Sequence, residues 1–477
     1  MEFNSLEYVL LLVVTSVLFF GAGYRARLVI LIIASLIFYA AWNVPFVSLI
    51  VISAGVDYTA ARLLGQPASS GWQRPTARKA VLAVSLLLNL GLLGYFKYAN
   101  FFLANVHELM GHAEGEGKLL DIVLPPGISF YTFQTMSYTI DVYRRQITPT
   151  KSFLRFFLYV TFFPQLIAGP IERAGHLLVQ FDHAATRPFR VENLVSGAQM
   201  IVFGMFKKVV IADHCGRLAD QVFRDPAGFD GWTALIGVYA FTLQIYCDFS
   251  AYSEIARGSA RIFGIDLMRN FDQPYLTSNI AEFWRRWHIS LSNWFRDYVY
   301  IPLGGSQKGK VRTLINLIIT MFLSGLWHGA AWTFVIWGLY HGLLLLITAL
   351  IGKRVAKLFG GGRLARALGW FTTFHLVVIG WILFRAADMA QFRQLLGSIA
   401  GQIAGLASGG GLPTSAQGMF IAGMFAFIGM SALDRRERLL ERIWGSPIGS
   451  VVFATVLIVA MLLIGLPDGP AFIYFQF

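Results

Sequence analysis

Residues 274–342 read PYLTSNIAEFWRRWHISLSNWFRDYVYIPLGGSQKGKVRTLINLIITMFLSGLWHGAAWTFVIWGLYHG. This stretch sets Arg285, Arg286, Arg296, Lys308, Lys310 and Arg312 beside Trp284, Trp287, Trp294 and Trp327 in a chain that is otherwise mostly apolar. A charged side chain at the centre of a bilayer costs at least a few kcal/mol, so ionisable groups at membrane depth are functional candidates first. His288 and His328 are the foremost two. Asn279 followed three residues later by Glu282 has the capping-box pattern, so a helix is expected to start there. Aromatic and charged residues fall all round that helix, which suits an interfacial or re-entrant segment rather than a plain span.

Beyond Pro302, Gly304 and Gly305 comes a basic loop, then an apolar run from Thr313 to Leu326. At 1.5 Å per residue that run is about 21 Å long, short of the ~30 Å hydrocarbon core. His328 is therefore expected within the membrane, in its outer half. Gly325, Gly329 and Ala330 allow another helix or a substrate to come close to its imidazole. The run from Ala331 to Ile351 must return inward, because Lys353, Arg354 and Lys357 follow it.

The rest of the chain supports a membrane reading. Of 477 residues, 56% are hydrophobic and 14% are charged, against about 25% charged in soluble domains. The mean hydropathy is +0.60. The net charge of +13 falls in short clusters between apolar runs, the pattern of cytoplasmic loops and not of a nucleic-acid-binding face. Cys215 and Cys247 cannot form a disulfide framework, and no Cys or His spacing fits a zinc site, so no metal is expected. His107-Glu108 and His112 are five apart, roughly 140° round a helix, where a zinc-protease helix needs four.

Apolar runs over Leu6–Phe20, Leu28–Ala41, a third to Ala61, Ala80–Leu103, Phe153–Ala168, Val191–Ala212, Trp232–Ser250, Leu368–Phe384, Met419–Leu433 and Ser450–Leu466, with those of the central stretch, predict an all-α polytopic membrane protein of about 11–12 spanning helices. Lys207 and Lys208 stand near the end of a span, where they could snorkel to the interface. The cation bias puts Arg74–Lys79, Lys308–Arg312, Lys353–Arg366 and Arg435–Arg442 in the cytoplasm, and both termini and the Glu108–Glu116 loop outside. Leu124–Tyr143 is too polar and Pro-broken to face lipid and is expected to line an interior. The segment with His176, Asp182 and His183 reads as an ordinary interfacial loop. Asp248 to Arg261 is either a salt-bridged surface helix or the polar wall of an internal site. The aromatic tail from Phe472 is expected at the outer interface, as a belt or as a docking point.

EFWRRWHISLSNWFRDYVYIPLGG at 282–305 and SGLWHGAAWTFVIWGLYHG at 324–342 resemble the membrane-bound O-acyltransferase family, in its branch of bacterial polysaccharide O-acetyltransferases. YFKYANFF at 95–102, LPPGISFYTFQTMSYTIDVYRR at 124–145, FFPQLIAGPIER at 162–173, DFSAYSEIARG at 248–258 and the terminal FIYFQF extend the resemblance over nearly the whole chain. It implies a single domain over 1–477, helices round a central cavity, and an acyl thioester donor such as acetyl-CoA arriving from the cytosol. It also implies an exported polysaccharide as final acceptor, reached through a periplasmic acetyltransferase- or esterase-like partner protein, and a bacterial inner-membrane location. The family's near-invariant histidine falls on His328, and its second polar position on His288. Ala251, Glu254 and Ser324 stand where Gly, Asp and Gly are more usual. A lipid or peptidoglycan O-acyltransferase of the same superfamily is the nearest alternative. A transporter or channel is a second, but it would usually show two similar halves, and nothing in the first half repeats the central stretch.

A hydroxyl is a poor nucleophile toward a thioester, and the tetrahedral oxyanion is costly. An imidazole near pKa 6.5 can accept the hydroxyl proton, worth typically 10²–10⁴-fold. His328 is the candidate base, or it carries the acyl group itself as an acyl-imidazole. His288, Arg285, Arg286 and Trp327 are the candidates for orienting the donor or stabilising the developing charge. No Gly-x-Ser-x-Gly elbow is present.

Overall fold

A computed structural model describes residues 1–111, 119–358, 362–407, 444–466, 469 and 471–473, with single positions between 414 and 428. Among the described residues all regular structure is helical. Among the described residues eight helices are long and apolar enough to cross a membrane, and Leu6–Gly21 is apolar but shorter. The expected span over Met419–Leu433 and the basic run Arg435–Arg442 lie largely outside the described residues. The chain divides into two compact units, one of Met1–Ile201 with Tyr252–Met268, the other of Val202–Ala251 with Arg269 onward.

The first unit opens with α1 (Leu6–Gly21), α2 (Tyr24–Ala40), α3 (Phe46–Leu64) and α4 (Pro75–Leu93). A π turn over Gly94–Tyr98 joins α4 to α5 (Ala99–Leu109). Then comes α6 (Ile128–Tyr143), where 14 of 16 residues are buried, as its polar, Pro-bounded sequence predicts. Its hydroxyls need internal partners, since a buried polar group left unbonded is destabilising. Thr139 Oγ1 donates to Asp57 Oδ1 of α3 at 2.9 Å, and Asn89 Nδ2 of α4 donates to Asp57 Oδ2 at 2.8 Å. The Ser85 hydroxyl donates to the same carboxylate. One buried acid thus ties three helices together.

After α7 (Phe153–Thr161), the segment expected as a loop is instead α8 (Ala174–Thr186). Leu177, Phe181 and Ala184 recur at helical spacing and are buried, a stripe that the surrounding charges obscure in the sequence. The charges are used locally. His176 Nδ1 lies 2.8 Å from Glu172 Oε2, and Arg155 pairs with Asp182 at 3.0 Å. α9 (Val191–Phe206) begins in this unit and passes into the second after Ile201.

In the second unit a π turn over Lys207–Ala212 leads into α10 (Asp213–Arg224) and α11 (Gly231–Ile262), whose residues from Tyr252 onward belong to the first unit. The apolar window of α11 is 89% buried, which excludes the salt-bridged surface helix. Asp248 pairs with Lys208 rather than with a following arginine, and Arg261 pairs with Asp266. Next are the short α12 (Ile280–Arg286) and α13 (Ile289–Phe295), then α14 (Lys310–His328), α15 (Trp332–Leu358), α16 (Arg363–Arg385), α17 (Met389–Ala407) and α18 (Pro447–Ile464). Only Leu457 of α18 is buried, while Leu462 and Leu463 are 79% and 77% exposed, a surface that only lipid solvates well.

α14 is longer than its apolar run because it takes in Lys310–Arg312 at one end and Trp327–His328 at the other. Its 19 residues span about 28 Å, close to the hydrocarbon thickness. It packs backbone to backbone against α15. A Cβ on Gly325 would sit 3.0 Å from Gly338 Cα, and one on Gly338 would sit 3.1 Å from Gly325 Cα. The small residues beside His328 therefore serve close helix approach, as the sequence suggests.

Candidate active site

The site is built on a broken helix. Asn279 caps α12, its side chain accepting the Glu282 N–H at 2.8 Å, and Glu282 in turn holds Arg286 at 2.6 Å. The helix thus starts where the pattern predicts, and the Glu282 carboxylate accepts from the Ser278 N–H at 3.4 Å. α12 stops at Arg286, Trp287 is extended, and His288 takes a left-handed conformation with φ 44° and ψ 56° before α13 starts. A non-glycine residue held there costs about 1–3 kcal/mol and persists only where its surroundings impose it. Asn270 imposes it here. Its backbone oxygen accepts the Ile289 N–H at 2.8 Å, and its Oδ1 accepts the Ser290 hydroxyl at 2.6 Å.

The break turns the His288 ring into an aromatic enclosure. The imidazole is fully buried, edge-on to Phe249 at 4.7 Å and 5.9 Å from Trp327. His288 lies outside the eight spanning helices. Burial pushes its pKa down to about 3, so the ring is neutral at physiological pH.

His328 is the last residue of α14, placed there because Gly329 ends the helix with extended backbone. A side chain at Gly329 would run into the Phe334 ring. Three rings meet the His328 imidazole nearly edge to face: Trp327 at 5.0 Å, Trp337 at 4.9 Å and Phe384 at 5.2 Å. Trp327 is thus shared by the two histidines that the sequence singles out. The arginines lie apart from this enclosure in character: Arg285 is exposed, and Arg286 is engaged by Glu282.

The sequence reading missed a third histidine. His341 of α15 is fully buried, 4.9 Å from Trp337 and 5.1 Å from Trp284, with Trp284 and Trp337 themselves 5.6 Å apart. Gly380 makes room for it, since a Cβ there would lie 2.7 Å from His341 Nε2. Both His341 ring nitrogens and the indole nitrogens of Trp284 and Trp337 lack a hydrogen-bond partner among the described residues. The available signal was the four-residue spacing from Trp337 to His341, which puts both on one face of α15. Among the described residues no group of three or more His, Cys, Asp or Glu could hold a metal ion.

The chemistry such a site supports is proton transfer and charge stabilisation by imidazoles and N–H donors, away from bulk water. Comparison with known proteins identifies the family. Residues 144–384 match the model of the membrane-bound O-acyltransferase family. The chain is 42% identical over 375 residues to the probable alginate O-acetylase AlgI of Pseudomonas aeruginosa, covering 78% of this chain and 69% of that protein. It is 35% identical to the peptidoglycan O-acetyltransferase of Helicobacter pylori over 387 residues, 76% of this chain and 71% of that one. It is 27% identical to the teichoic acid D-alanyltransferase of Bacillus subtilis over 296 residues, 59% of this chain and 74% of that one. With its helical architecture and a family match that takes in both His288 and His328, the chain belongs to the membrane-bound O-acyltransferase family.

Proposed function

We propose that this membrane-bound O-acyltransferase takes an acetyl group from a cytosolic thioester such as acetyl-CoA and delivers it across a bacterial inner membrane to hydroxyls of an exported polysaccharide, through a periplasmic acceptor protein. The observation that carries the reading is that His288 and His328 both pack edge to face against Trp327, at 5.9 Å and 5.0 Å, in a buried aromatic enclosure within the region matched by the family. The relatives named as an alginate O-acetylase and a peptidoglycan O-acetyltransferase support a cell-envelope polymer as acceptor.

In the proposed step the acceptor hydroxyl gives its proton to His328 as its oxygen attacks the thioester carbonyl. The C–O bond forms, the C–S bond breaks, and the proton returns to the leaving thiolate. His288, neutral and held at the helix break, donates its N–H toward the developing oxyanion. The N–H groups of Trp284 and Trp337 and the His341 ring, which lack partners among the described residues, suit a substrate arm rich in carbonyl oxygens. Arg285, Arg286 and Trp327 remain the candidates for positioning the donor, Arg285 from its exposed face.

Deleting the gene should remove O-acetyl groups from the exported polysaccharide, and restoring it should return them, as read by ester-linked acetate released with mild base. The peptidoglycan-type relative supports a second acceptor, and the same assay on isolated sacculi separates the two. Unchanged acetate on both polymers would contradict the proposal.

A further inference from the structure

Lys207 and Lys208 do not snorkel to an interface. Both are buried, because the π turn over Lys207–Ala212 rotates them inward. Lys207 Nζ donates to Ser250 Oγ at 2.9 Å. Lys208 Nζ lies 2.8 Å from Asp213 Oδ1 and 3.2 Å from Asp248 Oδ1, so one ammonium faces two buried carboxylates. Buried charge of this kind needs further hydrogen bonds to be tolerated. One comes from beyond α18: the Ile473 N–H donates to Asp248 Oδ2 at 2.8 Å.

The segment after α18 is fitted to this cluster along its described length. Leu466 N–H donates to Val209 O at 3.1 Å, and a side chain at Gly469 would run into the Asp213 carboxylate. Phe472 and Ile473 are 3% and 0% exposed, so these two residues form neither the lipid-facing belt nor the exposed docking point that the sequence led us to expect of the tail; Tyr474, Phe475 and Phe477 lie outside the described residues. Phe472 meets Phe249 at 5.9 Å, and Phe249 meets the His288 ring edge-on at 4.7 Å. Asp248 and Phe249 are neighbours on α11. One holds the backbone of the segment, and the other touches both its ring and the imidazole.

We propose that the Lys208–Asp213–Asp248 cluster anchors Gly469 and Phe472–Ile473, and that the anchored residues, through Phe472 and Phe249, fix the orientation of His288. These are positioning residues, since nothing here requires them to touch substrate. The inference concerns the packing of His288 and stands whether or not the acceptor is a polysaccharide.

The test uses the purified full chain in detergent and measures diethylpyrocarbonate modification of individual histidines by peptide mass spectrometry. Ile473→Pro removes the backbone N–H that Asp248 Oδ2 accepts, and Phe472→Leu removes the ring while leaving the charge cluster intact. Each should speed modification of His288 about tenfold, the effect expected for losing one hydrogen bond to a charged group or one tight contact, while His341 modification stays at the wild-type rate. If the proline variant does not accumulate, Phe472→Leu alone decides. An unchanged His288 rate would overturn the proposal, and so would a parallel rise at His288 and His341, which would mean general loosening.

Discussion

His288 and His328 differ in how they are held. His328 is placed by the end of a straight helix, whereas His288 is placed by a left-handed residue at a helix break, an arrangement that the sequence around it must actively maintain. The pKa of His288 is pushed to about 3 by burial, so the ring does not titrate between pH 5 and 9. His288→Gln should therefore lower acetyl transfer by roughly 10²–10³-fold, the cost of one oxyanion donor, without moving the pH–rate profile. Loss of an acidic limb in that variant would show instead that His288 itself exchanges the proton. Both histidines were legible because ionisable groups in apolar sequence are costly unless they work. His341 was not, because the spacing from Trp337 looks the same as an ordinary packed face. Nor was the burial of Lys207 and Lys208, which depends on a π turn that leaves no mark in composition.

At the scale of elements, the α14–α15 hairpin rests on the Gly325–Gly338 contact. Gly325→Leu would press its side chain into Gly338 Cα and the Phe334 carbonyl, and overpacking of this kind costs about 1–3 kcal/mol or more. Its melting temperature in detergent should fall clearly below wild type. Gly91→Ala, where nothing lies within 4 Å, should melt at or slightly above the wild-type temperature. Equal melting of wild type and Gly325→Leu would remove the hairpin from the account. The start of α12 could be read from Asn279 and Glu282, because capping is local chemistry. α8 reads as a loop in the sequence because its buried stripe of Leu177, Phe181 and Ala184 is short and interrupted by charge. Whether α11 past Ser250 is a surface helix or an internal wall stays open in the sequence, because its polar residues are satisfied by tertiary partners, which a single sequence does not display.

For the whole molecule, the cation bias predicts a direction of transfer. Single cysteines placed at Arg74–Lys79 and Lys308–Arg312 should react with a membrane-impermeant maleimide only after the cells are opened, and cysteines at Glu108–Glu116 should react in intact spheroplasts. Labelling of 308–312 from outside would reverse the orientation of α14 and with it the side from which His328 is reached. The membrane class and the helical fold were plain from hydropathy, since 56% hydrophobic residues leave few other solvents. The most direct test of the central claim is acetyl transfer in proteoliposomes containing this protein and the periplasmic acceptor proposed for it, with radiolabelled acetyl-CoA supplied only on the cytoplasmic face. Wild type should place label on the acceptor, and His328→Ala, inserted at equal level, should place essentially none. Transfer at the wild-type rate by His328→Ala would contradict the account.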